Sequence, residues 1–110
     1  MRLKAIDKET IIIHENGLLI HNDGVDMDSN LYLPPPNPGL KFEILQLSEF
    51  SISLITNSPE VSFLLDTSPK SITISGNSSN YGKNLVLQSF QGSWRIFSTT
   101  FDLQHLHFEE

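Results

Sequence analysis

The stretch that most constrains this chain is Leu31-Tyr32-Leu33-Pro34-Pro35-Pro36-Asn37-Pro38-Gly39-Leu40, with Lys41-Phe42-Glu43-Ile44 behind it. Each proline fixes φ and removes a backbone donor. Each also keeps the residue before it out of the helical region. Pro34, Pro35 and Pro36 therefore cannot continue a ladder inside a sheet or sit within a helix. Asn37-Pro38-Gly39 adds turn chemistry, with proline presetting one corner position and glycine free to take positive φ. The stretch reads as a short strand, a rigid corner, and a second strand leaving in a new direction.

Before the corner, strands are expected over 3–6, 10–14 and 18–21. The polar connectors 7–9 and 15–17 between them suit hairpins. Ile11, Ile12 and Ile13 are all β-branched, which favours a strand. Three in a row put apolar groups on both faces, so this strand wants cover on both sides, from the domain or from another subunit.

After the corner, Phe42, Ile44 and Gln46 alternate with Lys41, Glu43 and Leu45, the pattern of a half-buried strand. Further strands are expected over 50–56, 61–65, 71–75, 84–89, 94–97 and 101–108. Turn clusters fall at 57–60, 66–70 and 91–93, and a flexible loop at 76–83. Strands separated by regular turn signals indicate a sandwich or barrel. The best helical window, 45–56, is crowded with serine and lacks a 3.6-residue period. The expectation is an all-β fold, a small antiparallel sandwich or barrel of jelly-roll type with almost no helix. Residues 1–25 form an attachment or swapped segment in this reading, and residues 26–110 the domain proper.

Composition narrows the function classes. One domain suits 110 residues. The absence of cysteine excludes disulfides, thiolate chemistry and cysteine zinc sites. A net charge of −6, from 13 acids and 7 bases with no basic run, disfavours nucleic acid. No apolar run reaches membrane-spanning length. The first residues lack the extended apolar segment of a signal peptide.

Few side chains form a chemical pattern. Asp26-x-Asp28-x-Asn30 copies the first half of a calcium loop, but Leu31 stands where that loop needs glycine and Asn37 where it needs glutamate. Local turns made by Asp and Asn are the plainer reading. No G-x-S-x-G elbow is present, and no enzymatic activity is expected. Trp94 reads first as a core anchor with its N–H bonded inside. The alternative is a ligand platform shared with Tyr81 and the 76–83 loop. His105 and His107 alternate along the expected last strand, which would point both imidazoles one way.

The order of these features resembles a module of tailed-phage and large-virus virion proteins. There an LPPP…PG corner precedes an I-x-I strand, here Ile72-Thr73-Ile74, then a Gly/Asn-rich loop and a closing G-x-W-x-I hairpin, here Gly92-Ser93-Trp94-Arg95-Ile96. The resemblance covers about residues 26–98. It implies a non-enzymatic structural protein of the virion, a capsid decoration, cement or fibre element, with a receptor- or glycan-binding knob as the alternative. It also implies a homo-oligomer, a trimer, contacting the major capsid protein or another virion component. Ile11, Ile12, Ile13, Leu33, Pro34, Pro35 and Pro36 are the residues expected at such contacts. In a trimer, His105 and His107 would offer six nitrogens to iron or another transition metal on the axis, as in some phage spike and fibre tips.

Overall fold

The computed structural model describes residues 2–13, 16–37, 39–56, 71–90 and 92–109. Within them lie β1 (Arg2–Ala5), β2 (Thr10–Ile12), β3 (Leu18–His21), β4 (Ser29–Leu33), β5 (Lys41–Leu45) and β6 (Ile52–Thr56). They continue with β7 (Ser71–Ile74), β8 (Asn84–Phe90), β9 (Ser93–Thr99) and β10 (Leu106–Glu109). The helical segments among the described residues are single 3₁₀ turns at Ser78–Asn80 and Leu103–His105. The strand expected over 61–65, the turns at 57–60 and 66–70, and His14 lie outside the described residues.

Strand formation follows side-chain alternation. Phe42 and Ile44 on β5, Ile52 and Leu54 on β6, and Ile72 and Ile74 on β7 are all fully buried, and their neighbours are exposed or half-exposed. A strand sends successive side chains to opposite faces, so each of these segments has one face for a core. Two five-stranded sheets share that core, a β-sandwich with the orders β1-β3-β5-β8-β9 and β10-β7-β6-β4-β2.

The first six strands alternate between the sheets, odd-numbered in the first and even-numbered in the second. Arg2 lies opposite Leu18 and Leu19 opposite Glu43, both in parallel register. Thr10 opposite Asn30 and Asn30 opposite Ser53 repeat this in the second sheet. The amino-terminal half is thus a flattened coil in which each turn adds one strand to each sheet. Parallel neighbours need a crossover connection, and here the crossover is a strand of the opposite sheet.

The hairpins expected from connectors 7–9 and 15–17 therefore do not form, and the sheets are mixed rather than antiparallel. A hairpin of β1 and β2 within one sheet would leave the apolar face of that ribbon bare. Crossing over lets Ile6, Ile11 and Ile13 all enter the core, each 7% exposed or less. Antiparallel pairing begins with β7 beside β6 and β8 beside β5, and continues with β9 and β10 at the far edges.

The proline corner carries the chain from β4 in the second sheet to β5 in the first. Its turn glycine, Gly39, has φ 88°, the conformation expected of it. Two inward residues paired across β8 and β9, Ser89 and Trp94, clasp this corner. Trp94 Nε1 donates to the carbonyl of Pro34 at 3.1 Å, and its ring packs on Phe42 with centroids 5.4 Å apart. Ser89 Oγ donates to Asn37 O at 2.5 Å and accepts from Leu40 N at 3.1 Å. The closing hairpin, turned at Gly92 with φ 77°, thereby locks the corner from inside.

One cluster of buried side chains runs from Ile6, Ile11 and Ile13 through Leu31, Phe42 and Ile72 to Trp94 and Leu106. The first strands contribute Ile6, Ile11 and Ile13 to this same core.

Candidate functional site

Where β3 and β5 leave the first sheet, their next residues, Asn22 and Gln46, are both fully buried. Asn22 Oδ1 accepts from Leu47 N at 2.7 Å, and its Nδ2 donates to Phe50 O at 3.2 Å and to Gln46 Oε1 at 3.4 Å. Gln46 Nε2 donates to Ser48 O at 2.6 Å and to Phe50 O at 2.7 Å. With every amide atom engaged, this cluster holds the crossings of two successive turns and offers no free group to a ligand.

Asn80, also fully buried, closes the neighbouring loop. Its Nδ2 donates to Ser75 O at 3.0 Å, and its Oδ1 lies 3.0 Å from His105 Nδ1. His105 belongs to the 3₁₀ turn before β10, whereas His107 lies on β10 with Nε2 3.0 Å from Ser75 Oγ. The two imidazoles thus take different polar partners. Among the described residues, no group of three His, Asp or Glu side chains is placed to hold a metal ion.

The other expected positions divide clearly. Trp94 is fully buried, so the expectation of a ligand platform there is corrected: its N–H is bonded in the core and its ring is covered by Phe42. Tyr81 is half-exposed, immediately after the 3₁₀ turn that Asn77 caps with a bond from Ser79 N. Ile11, Ile13 and Leu33 are core residues and cannot touch a partner while folded, which corrects the attachment reading for them. Ile12, 54% exposed, retains it. Pro35 is exposed, and Pro34 and Pro36 are half-exposed beside the clasped corner. Asp28 Oδ1 accepts from Ser51 N at 2.8 Å, a bond to a segment distant in the sequence rather than a local turn, and Asn30 is a residue of β4.

The surface features that remain are apolar and lie toward the sheet edges. On the amino-terminal strands, Leu3 is 73% exposed on β1 of the first sheet and Ile12 is 54% exposed on β2 of the second, each outward from its own sheet. Ile12 also lines a shallow cavity of about 350 Å³ with Lys4, Asp7, Lys8, Thr10 and Ile11. Toward the opposite edge, Phe90 on β8 is 55% exposed and Phe97 on β9 is 65% exposed. Each ring carries a cation: the Arg95 guanidinium carbon is 5.0 Å from the Phe90 centroid and Lys41 Nζ is 5.3 Å from that of Phe97. Lys41, Gln88 and Arg95 form one row across β5, β8 and β9.

Sequence reasoning passed over Phe97, Arg95 and Leu3. The pairing steps from Val86–Ser98 to Leu87–Ile96, so Phe97 is the extra residue of a bulge. A bulge re-aims a side chain at an edge, and this one holds Phe97 outward. Its signal in the sequence is faint, an apolar pair Ile96-Phe97 where alternation calls for one. Comparison with known protein families gives no matching family model, and comparison with curated proteins gives no match.

Proposed function

We propose that this chain is a non-enzymatic structural protein of a virion, a capsid decoration or fibre element that works by association. The observation that carries this reading is that edge strands β1, β2 and β9, unpaired on their outer side among the described residues, bear exposed Leu3, Ile12 and Phe97, with Phe90 exposed on the neighbouring β8. An open strand edge presents unpaired N–H and C=O groups and is a template for pairing with another chain. Large apolar side chains on such an edge favour that pairing further.

The corner-and-hairpin pattern supports the virion setting, and the clasp gives it a physical basis. The corner and the closing tryptophan belong together because one bonds the other. Copies of the chain associate through the β1 and β2 edge in this account, and the other edge faces a further virion component. Replacing Leu3 and Ile12 together by serine tests this. The account requires the solution mass to fall toward that of one chain with little change in melting temperature. An unchanged oligomer would remove this edge from the interface.

A further inference from the structure

Among the described residues, the polar side-chain atoms buried without a hydrogen-bond partner are Ser29 Oγ and the Nε and Nη2 of Arg95. The guanidinium is the costlier case, because a charged donor shut away from water without an acceptor carries a large desolvation penalty. Nε and Nη2 share one edge of the planar guanidinium. Together they form the two-pronged edge that takes both oxygens of a carboxylate.

Among the described residues, no acid fills that edge. Glu43 points to the same outer face from β5, and its Oε2 is taken by Asn84 Nδ2 at 2.9 Å. Beyond β9, the first sheet has no further strand among those described. β9 spans Ser93–Thr99 and is longer than each of the other edge strands, Arg2–Ala5, Thr10–Ile12 and Leu106–Glu109. The bulge at Phe97 and the exposed ring of Phe90 place apolar surface beside the unpaired fork.

We infer that β9 is the receiving edge for an extended, acidic and apolar segment of a partner protein, added as a further strand of the first sheet. Backbone pairing along 93–99 supplies the register. A partner carboxylate takes Nε and Nη2 of Arg95, and its apolar neighbours lie on Phe90 and Phe97. Lys41, in the same row, favours a second acid. Strand addition of this kind draws affinity from main-chain bonds and specificity from alternate side chains. Admitting the carboxylate requires the exposed Phe90 ring, which lies against the guanidinium, to swing aside. This inference rests on the association reading, whose virion setting would make the segment part of another particle protein.

The test uses the full chain and two fluorescent capped heptapeptides, one alternating Val with Glu and the other Val with Gln. The Glu peptide is expected to bind, and the Gln peptide about tenfold or more weakly, as the loss of a bidentate charged pair implies. Arg95→Gln should remove that preference, Arg95→Lys should restore part of it, and Phe97→Ser should weaken both peptides. Equal binding of the two peptides to the wild type, an unchanged preference in Arg95→Gln, or no binding at millimolar peptide overturns the inference. A drop in oligomer mass on Arg95→Gln without peptide binding assigns the edge to a second copy and overturns it too. Oligomers that ignore Arg95→Gln, in a chain that binds no peptide, refute the inference and leave the association reading intact.

Discussion

Replacing Trp94 by phenylalanine tests whether the closing hairpin holds the proline corner. The larger ring is fully buried, and its N–H reaches Pro34 O at 3.1 Å. Phenylalanine removes two ring carbons, at about 0.8 kcal/mol each. It also leaves a partly buried carbonyl without its donor, at a cost of about 1–3 kcal/mol. The sum is a loss of about 2.6–4.6 kcal/mol. A chain of this size loses roughly 4–6 °C of melting temperature per kcal/mol, so the midpoint falls by about 10–28 °C. Urea titration followed by far-ultraviolet circular dichroism gives the free energy directly. Ser89→Ala supplies the second arm of a cycle, because Ser89 pairs with Trp94 and bonds the same corner. The two losses should couple by about 0.5 kcal/mol or more. A Trp94→Phe loss under about 1 kcal/mol, or strict additivity with Ser89→Ala, would refute the clasp.

Gly76→Ala should destabilise by about 1–3 kcal/mol, because a Cβ there would lie 2.3 Å from Glu49 O and 2.6 Å from the Phe50 carbonyl carbon. Thermal unfolding reads this loss. Ile12→Ala should leave stability within about 0.5 kcal/mol, whereas Ile13→Ala should cost about 2–5 kcal/mol, since one side chain is outside and the other in the core. The pair is compared by denaturant midpoint, and equal losses would contradict the strand's orientation. Asn22→Ala removes the acceptor of Leu47 N and a donor to Phe50 O, and should cost about 2–4 kcal/mol by the same titration.

Local pattern made much of the fold readable. The alternation of Phe42, Ile44 and Gln46, and of Ile72 and Ile74, placed β5 and β7 closely, because a one-sided core imposes period two on the sequence. The corner was legible because proline limits the backbone whatever surrounds it. Strand direction was not. The connectors at 7–9 and 15–17 are compatible with a hairpin or a crossing, and the choice depends on where Ile6, Ile11 and Ile13 find cover. That cover comes from strands distant in the sequence, such as β4 lying parallel to β2. The same limit hid the Asn22–Gln46 cluster, whose members meet only through the parallel register of β3 and β5. The bulge at Phe97 escaped because one extra residue shifts the inside-outside pattern without a turn residue to mark it. Three consecutive isoleucines ask for cover on both faces, yet Ile11 and Ile13 face inward and Ile12 remains outside.

The solution mass of the purified chain, measured by multi-angle light scattering across a concentration series, tests the central claim of association most directly. A defined oligomer is expected, a trimer by the resemblance to virion modules, whose mass falls on dilution or on replacing Leu3 and Ile12. A single-chain mass of 12.4 kDa at every concentration would contradict it.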